Sequence, residues 1–83
     1  MTEDKDKKDS EERKYKILET IMLDFTTPQD QYSALFDAGD KSQVIVNGSD
    51  VYLFYEGQRK LTINGPDLVE LYVKRGALVE EKD

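Results

Sequence analysis

The chain has 83 residues, 36% charged and 37% hydrophobic, enough for one domain with a small core. Eighteen acidic against twelve basic residues give a net charge of −6, which argues against a large electrostatic footprint for duplex DNA or an anionic membrane. With neither cysteine nor histidine, the sequence excludes disulfides, thiolate nucleophiles, Cys-type zinc sites and the usual general base. The longest uninterrupted apolar run, Val51 to Tyr55, falls far short of the roughly 20 residues of a bilayer span. The charged start has no apolar h-region, so the expectation is an unprocessed, cytoplasmic protein.

Residues 1–9 read as a disordered charged tail, in which Glu3, Asp4, Asp6 and Asp9 neutralise Lys5, Lys7 and Lys8. Asp9 or Ser10 then caps a helix expected over about 10–24, with Glu12 placed for a capping box. Tyr15, Leu18, Met22 and Phe25 recur at spacings of 3, 4 and 3, and Ile17 and Ile21 widen that apolar stripe. At Thr26-Thr27-Pro28, Thr27 fits an N-cap and Pro28 a first helical turn, which predicts a second helix over about 28–38. Tyr32, Leu35 and Phe36 would line its apolar side, and Gly39 would end it.

From Gln43 to Ile63 the period changes to two and the residues become β-branched and aromatic, which predicts a three-stranded antiparallel meander. Asn47-Gly48-Ser49-Asp50 supplies the first turn, and a loop around Glu56-Gly57 the second. A three-residue second loop puts Val44, Val46, Val51, Leu53, Leu61 and Ile63 on one apolar face, and Ile45, Tyr52, Phe54, Gln58, Lys60 and Thr62 on the other. A two-residue loop would instead set Phe54 beside Leu61 and Tyr52 beside Ile63, leaving both faces half apolar; the three-residue loop is preferred because it separates them. Asn64-Gly65-Pro66-Asp67 announces a last helix to about Arg75, where Lys74 and Arg75 complement the negative end before Gly76. Ala77-Leu78-Val79 reads as a clamp on that helix or a short final strand, and residues 81–83 as a solvated terminus.

The expected fold is therefore α+β, one compact domain over 10–80: two helices, a meander and a C-terminal helix, with the helices on one face of the sheet. Chemistry is mostly excluded. No serine has a histidine to act as base, a Ser-Lys arrangement using Lys41 or Lys60 has no nucleophile elbow around it, and Asp37, Asp40 and Asp50 do not match the calcium-loop spacing, so no catalytic residue, metal or cofactor is expected. Two surfaces stand out. Ile45, Tyr52, Phe54 and Lys60, with Arg59 beside them, form a candidate interface on the second sheet face. Asp24, Asp30, Asp37 and Asp40 fall in or beside the expected helical pair as a candidate acidic rim.

In size and acidity alone the chain resembles compact proteins encoded by phages and mobile elements, several of which bind one host protein. The reading that follows is a non-enzymatic protein–protein interaction module, an inhibitor or regulator with one protein partner. Two other classes are carried beside it: a single-stranded nucleic-acid binder using Tyr52, Phe54, Arg59 and Lys60, with the lysines of the tail as a further contact, and a self-associating component such as a homodimer.

Overall fold

The computed structural model describes residues 12–81, which form an α+β fold of antiparallel sheets and one helix near the C-terminus. The strands are β1 (Arg13–Ile17), β2 (Ile21–Thr26), β3 (Gln31–Phe36), β4 (Gly39–Asn47), β5 (Asp50–Tyr55), β6 (Gln58–Leu61) and β7 (Leu78–Glu81), and α1 (Pro66–Arg75) precedes the last. Five strands make one sheet in the order β6-β5-β4-β1-β7, and β2 and β3 make a separate hairpin. The tail expected at 1–9 and its capping residues lie outside the described residues.

Both expected N-terminal helices are replaced by strands. Tyr15, Ile17, Ile21, Leu23 and Phe25 are buried and all odd-numbered, while Lys14, Lys16, Met22 and Asp24 alternate with them. A period of two was thus present beneath the 3-4-3 spacing, and tertiary burial selects it. The second expected helix start is a hairpin loop. The Thr27 hydroxyl accepts hydrogen bonds from the Gln29 and Asp30 amides at 3.3 and 3.0 Å. An N-cap makes the same side-chain bond to the second or third amide beyond it. Here the chain returns as β3, paired with β2 from Ile21↔Phe36 to Thr26↔Gln31.

The meander strands appear as β4, β5 and β6, but within a five-stranded sheet that β1 and β7 complete. Val46 faces Val51 across the first turn. The second loop is Glu56-Gly57 alone, since Tyr55 pairs with Gln58, and both loop residues have positive φ, 53° and 77°. That is a type I′ geometry, whose twist matches the flanking strands. The shorter loop reverses the expected facing of β6. Leu61 lies opposite Tyr52, Arg59 opposite Phe54, and Lys60 opposite Leu53 on the core side. Leu61 is consequently 53% exposed, and Ile63, beyond the strand, is 48% exposed.

Tyr15, Ile17, Val44, Val46, Val51 and Leu53 form the covered face of the large sheet. Leu78 of β7, opposite Ile17, extends that face, and what covers it is the hairpin, through Ile21, Leu23 and Phe25, together with Val69 of α1 and Ala77. α1 starts as expected, with Pro66 in its first turn and Asp67 beside it, and ends with Lys74 and Arg75 before Gly76 at φ 84°. Of the two residues before Pro66 suited to cap it, Gly65 stands at the N-cap and Asn64 does not. The Asn64 side chain instead accepts from the Asp24 amide at 2.8 Å, the Ile63 amide donates to the Asp24 carbonyl at 2.9 Å, and the Tyr72 hydroxyl bonds both the amide and the carbonyl of Met22. The outer edge of β2 is thereby closed by side chains and by the segment before α1 rather than by another strand.

Candidate functional site

The candidate interface residues divide between the two faces of the large sheet. Ile45, Tyr52, Phe54 and Arg59 occupy the face away from the hairpin, and Lys60 the core face. Ile45 is 2% exposed, while Tyr52 and Phe54 are half-buried. The Arg59 guanidinium lies 5.3 Å from the centre of the Tyr52 ring and 2.7 Å from a Glu12 carboxylate oxygen. Glu12 precedes β1, three strand positions from β6, or about 14 Å at ordinary strand spacing. This ion pair therefore reaches across the sheet over Tyr52, and a half-exposed bridge of this kind is worth only about 0–1 kcal/mol.

Lys60 belongs to a different constellation. Its ammonium donates to the Tyr32 hydroxyl and lies 5.2 Å and 5.3 Å from the ring centres of Tyr32 and Phe25. Phe25 stacks on Tyr32 at 5.4 Å and meets Phe36 edge-on at 6.0 Å. These rings, with Tyr55, line an open groove of about 290 Å³ between the hairpin and strands β5 and β6. A second, wider hollow continues past Phe36 and Tyr55 to Asp37, Lys41 and Ser42. The groove was missed in the sequence because Phe25, Tyr32 and Phe36 read as helix faces. The signal that could have found it is the alternation Tyr32, Ala34, Phe36, the inward side of β3.

The acidic rim is not carried by helices. Asp24 lies on the outward side of β2, Asp30 in the hairpin loop, Asp37 just after β3, and Asp40 within β4. Three of the carboxylates already hold local structure. Asp24 accepts from Ser33 at 2.6 Å and from Asn64 at 3.2 Å, and these bonds hold its carboxyl below the ordinary 3.8. Asp30 accepts from the Gln31 amide at 2.7 Å, and Asp37 from the Thr20 hydroxyl at 3.0 Å. On the same outward side, Met22 pairs with Leu35. Leu35 is 67% exposed, the highest value among the large apolar residues, and in the pairing it lies between the levels of Asp24 and Asp37. The rim thus borders an apolar spot on the hairpin, rather than Tyr52 and Phe54.

Among the described residues there is no grouping of three or more Asp and Glu side chains able to hold a metal ion, every buried side-chain polar atom has a hydrogen-bond partner, and no helix is long and apolar enough to cross a membrane. No protein-family model, curated protein or solved structure matches the chain.

Proposed function

We propose that this chain is a small acidic, non-enzymatic protein-binding module, an inhibitor or regulator that acts by occupying a partner's surface. The observation that carries this reading is the open groove with four aromatic rings at its wall, Phe25, Tyr32, Phe36 and Tyr55. Phe25 is the buried floor of the groove, while Tyr32, Phe36 and Tyr55 are partly exposed, and partly exposed rings around a concavity are what a partner's apolar side chain buries against; such anchors supply most of the free energy of an interface. Acids outside the concavity set orientation and on-rate. The absence of histidine and cysteine from the sequence supports a role without covalent chemistry.

The nucleic-acid reading draws less support, because the two cations of its sheet platform fall on opposite faces, with Arg59 bridged to Glu12 and Lys60 bonded to Tyr32; the tail lysines it also uses lie outside the described residues. A single-strand platform needs its bases and aromatics on one surface.

The test is affinity capture with the tagged full-length protein from lysate of its source, divided into nuclease-treated and untreated halves. One protein retained in stoichiometric amount after nuclease, and lost with the exposed-ring variant Tyr55→Ala, is the expected outcome. Recovery of nucleic acid, with all protein lost on nuclease treatment, refutes the reading.

A further inference from the structure

Among the described strands three edges are open, those of β6 and β7 at the ends of the large sheet and that of β3 in the hairpin. An open edge is a template for another chain, and proteins usually guard it with shortness, charge or proline. β6 has four residues and carries Arg59 and Lys60; β7 has four and ends in Glu80 and Glu81. β3, running Gln31-Tyr32-Ser33-Ala34-Leu35-Phe36, has six residues with neither charge nor proline. Its edge groups follow from the alternation of an antiparallel ladder. Met22 and Asp24 turn their amides and carbonyls away from β3, toward Tyr72, Ile63 and Asn64. Their partners Leu35 and Ser33 therefore turn theirs away from β2.

We propose that β3 is a docking strand for an extended, basic segment of a partner protein. The segment pairs with the amides and carbonyls of Ser33 and Leu35, and places every second side chain, large and apolar, in the groove beside Phe36 and Tyr55. The intervening side chains are lysine or arginine, directed to the outward side of the hairpin. This inference rests on the protein-binding reading and gives that partner its chemistry. Strand addition takes its affinity from main-chain bonds and its specificity from pockets for alternate side chains, and β3 adjoins such a pocket on its inward side. On the outward side, exposed Leu35 and Met22 lie between the levels of Asp24 and Asp37, so basic residues complement what borders the strand. A second copy of this chain fits less well. It would bring the same acids, and the same net charge of −6, against themselves.

The experiment titrates the full-length, ¹⁵N-labelled protein with a synthetic heptapeptide that has lysine at its odd positions and valine, phenylalanine and valine at its even ones. A companion peptide carries glutamate in place of lysine. The expected result is that the Ser33 and Leu35 amides exchange about tenfold or more slowly in the complex, as newly bonded amides do. The glutamate peptide should bind about tenfold or more weakly, because its charge repeats that of the rim. Ser33→Pro, which removes an edge amide unused in the hairpin, and Leu35→Lys, which charges the edge, should each abolish peptide binding while the Val44 and Val51 resonances stay in place. Should Ser33→Pro fail to fold, Leu35→Lys carries the test.

Several outcomes overturn the proposal: no binding, unchanged exchange at Ser33 and Leu35, shifts centred on Tyr52 and Leu61, or equal binding of both peptides. Protection of β3 without peptide that grows with protein concentration overturns it in favour of a second copy. In the lysate capture, a partner retained equally by Ser33→Pro and Leu35→Lys overturns strand addition and leaves the module reading standing. If the unmodified protein captures no protein at all, the module reading itself fails.

Discussion

Removing one oxygen tests whether side chains close the outer edge of β2. Tyr72→Phe keeps the ring in the partly buried position it occupies against the core, and deletes only the hydroxyl that bonds the Met22 amide at 3.1 Å and the Met22 carbonyl at 3.2 Å. Each bond has a net worth of about 0.5–1.5 kcal/mol, and because this edge is exposed, water can return to both groups, so the total loss is about 1–2 kcal/mol. With a urea m-value of about 1 kcal/mol/M for so small a domain, the midpoint should fall by about 1–2 M. The local readout is sharper. In the variant the Met22 amide should exchange with solvent faster than the adjacent Leu23 amide, which bonds across the hairpin to Ala34. An unchanged urea midpoint, or a Met22 amide as protected as before, refutes the idea that Tyr72 stands in for a missing strand.

Three further perturbations have definite signs. Glu56 holds φ 53° in a two-residue turn, a conformation that costs most L-residues about 1–2 kcal/mol and asparagine less. Glu56→Asn should therefore stabilise the protein by about 0.5–1 kcal/mol in thermal unfolding, and a lower Tm would argue for a longer loop. Phe25 is 1% exposed between Tyr32 and Phe36, so Phe25→Ala should cost about 3–5 kcal/mol, enough to abolish cooperative unfolding in a domain of this size. The folded state holds the Asp24 carboxyl below the ordinary 3.8, so its contribution is complete above that value and is lost as pH falls through the lower folded one. Asp24→Asn should flatten the acid limb of stability against pH; an identical limb in both proteins would show that the Ser33 and Asn64 bonds do not favour the charged form.

The last helix and the first hairpin turn were legible because their signals are local and singular. Pro66 and Asp67 start α1 and Gly76 ends it, and Gly48-Ser49, between the paired Asn47 and Asp50, turns β4 into β5, without reference to the rest of the chain. The N-terminal half was misread because its residues satisfy two periods at once. Tyr15, Leu18, Met22 and Phe25 fit a helix, yet Tyr15, Ile17, Ile21, Leu23 and Phe25 fit two strands, and only the second set is buried. No local propensity separates the two; the choice is made by β4, against which β1 pairs from Arg13↔Val46 to Ile17↔Gly39, a partner 22 to 33 residues away. Thr27-Pro28 compounded the error, because one hydroxyl-to-amide bond serves a helix start and a turn alike.

The same ambiguity displaced the site. One residue of difference in the second hairpin loop moved Lys60 from the Tyr52 face to the Phe25 face, so a supposed cluster of two aromatics and two cations separates into Arg59 over Tyr52 and Lys60 over Tyr32. What replaces it on the hairpin was visible as residue types but not as a surface. Gln31-Tyr32-Ser33-Ala34-Leu35-Phe36 is an uncharged run in a chain that is 36% charged, and as a helix that run would merely be packed. As an edge strand it is the one open edge among the described residues without a charge of its own, while β6 and β7 each carry two. Solubility alone would place a lysine or glutamate there, as it does on the other two edges. Its absence, beside an aromatic groove and between acids that hold the hairpin together, is what a strand retained for pairing would look like.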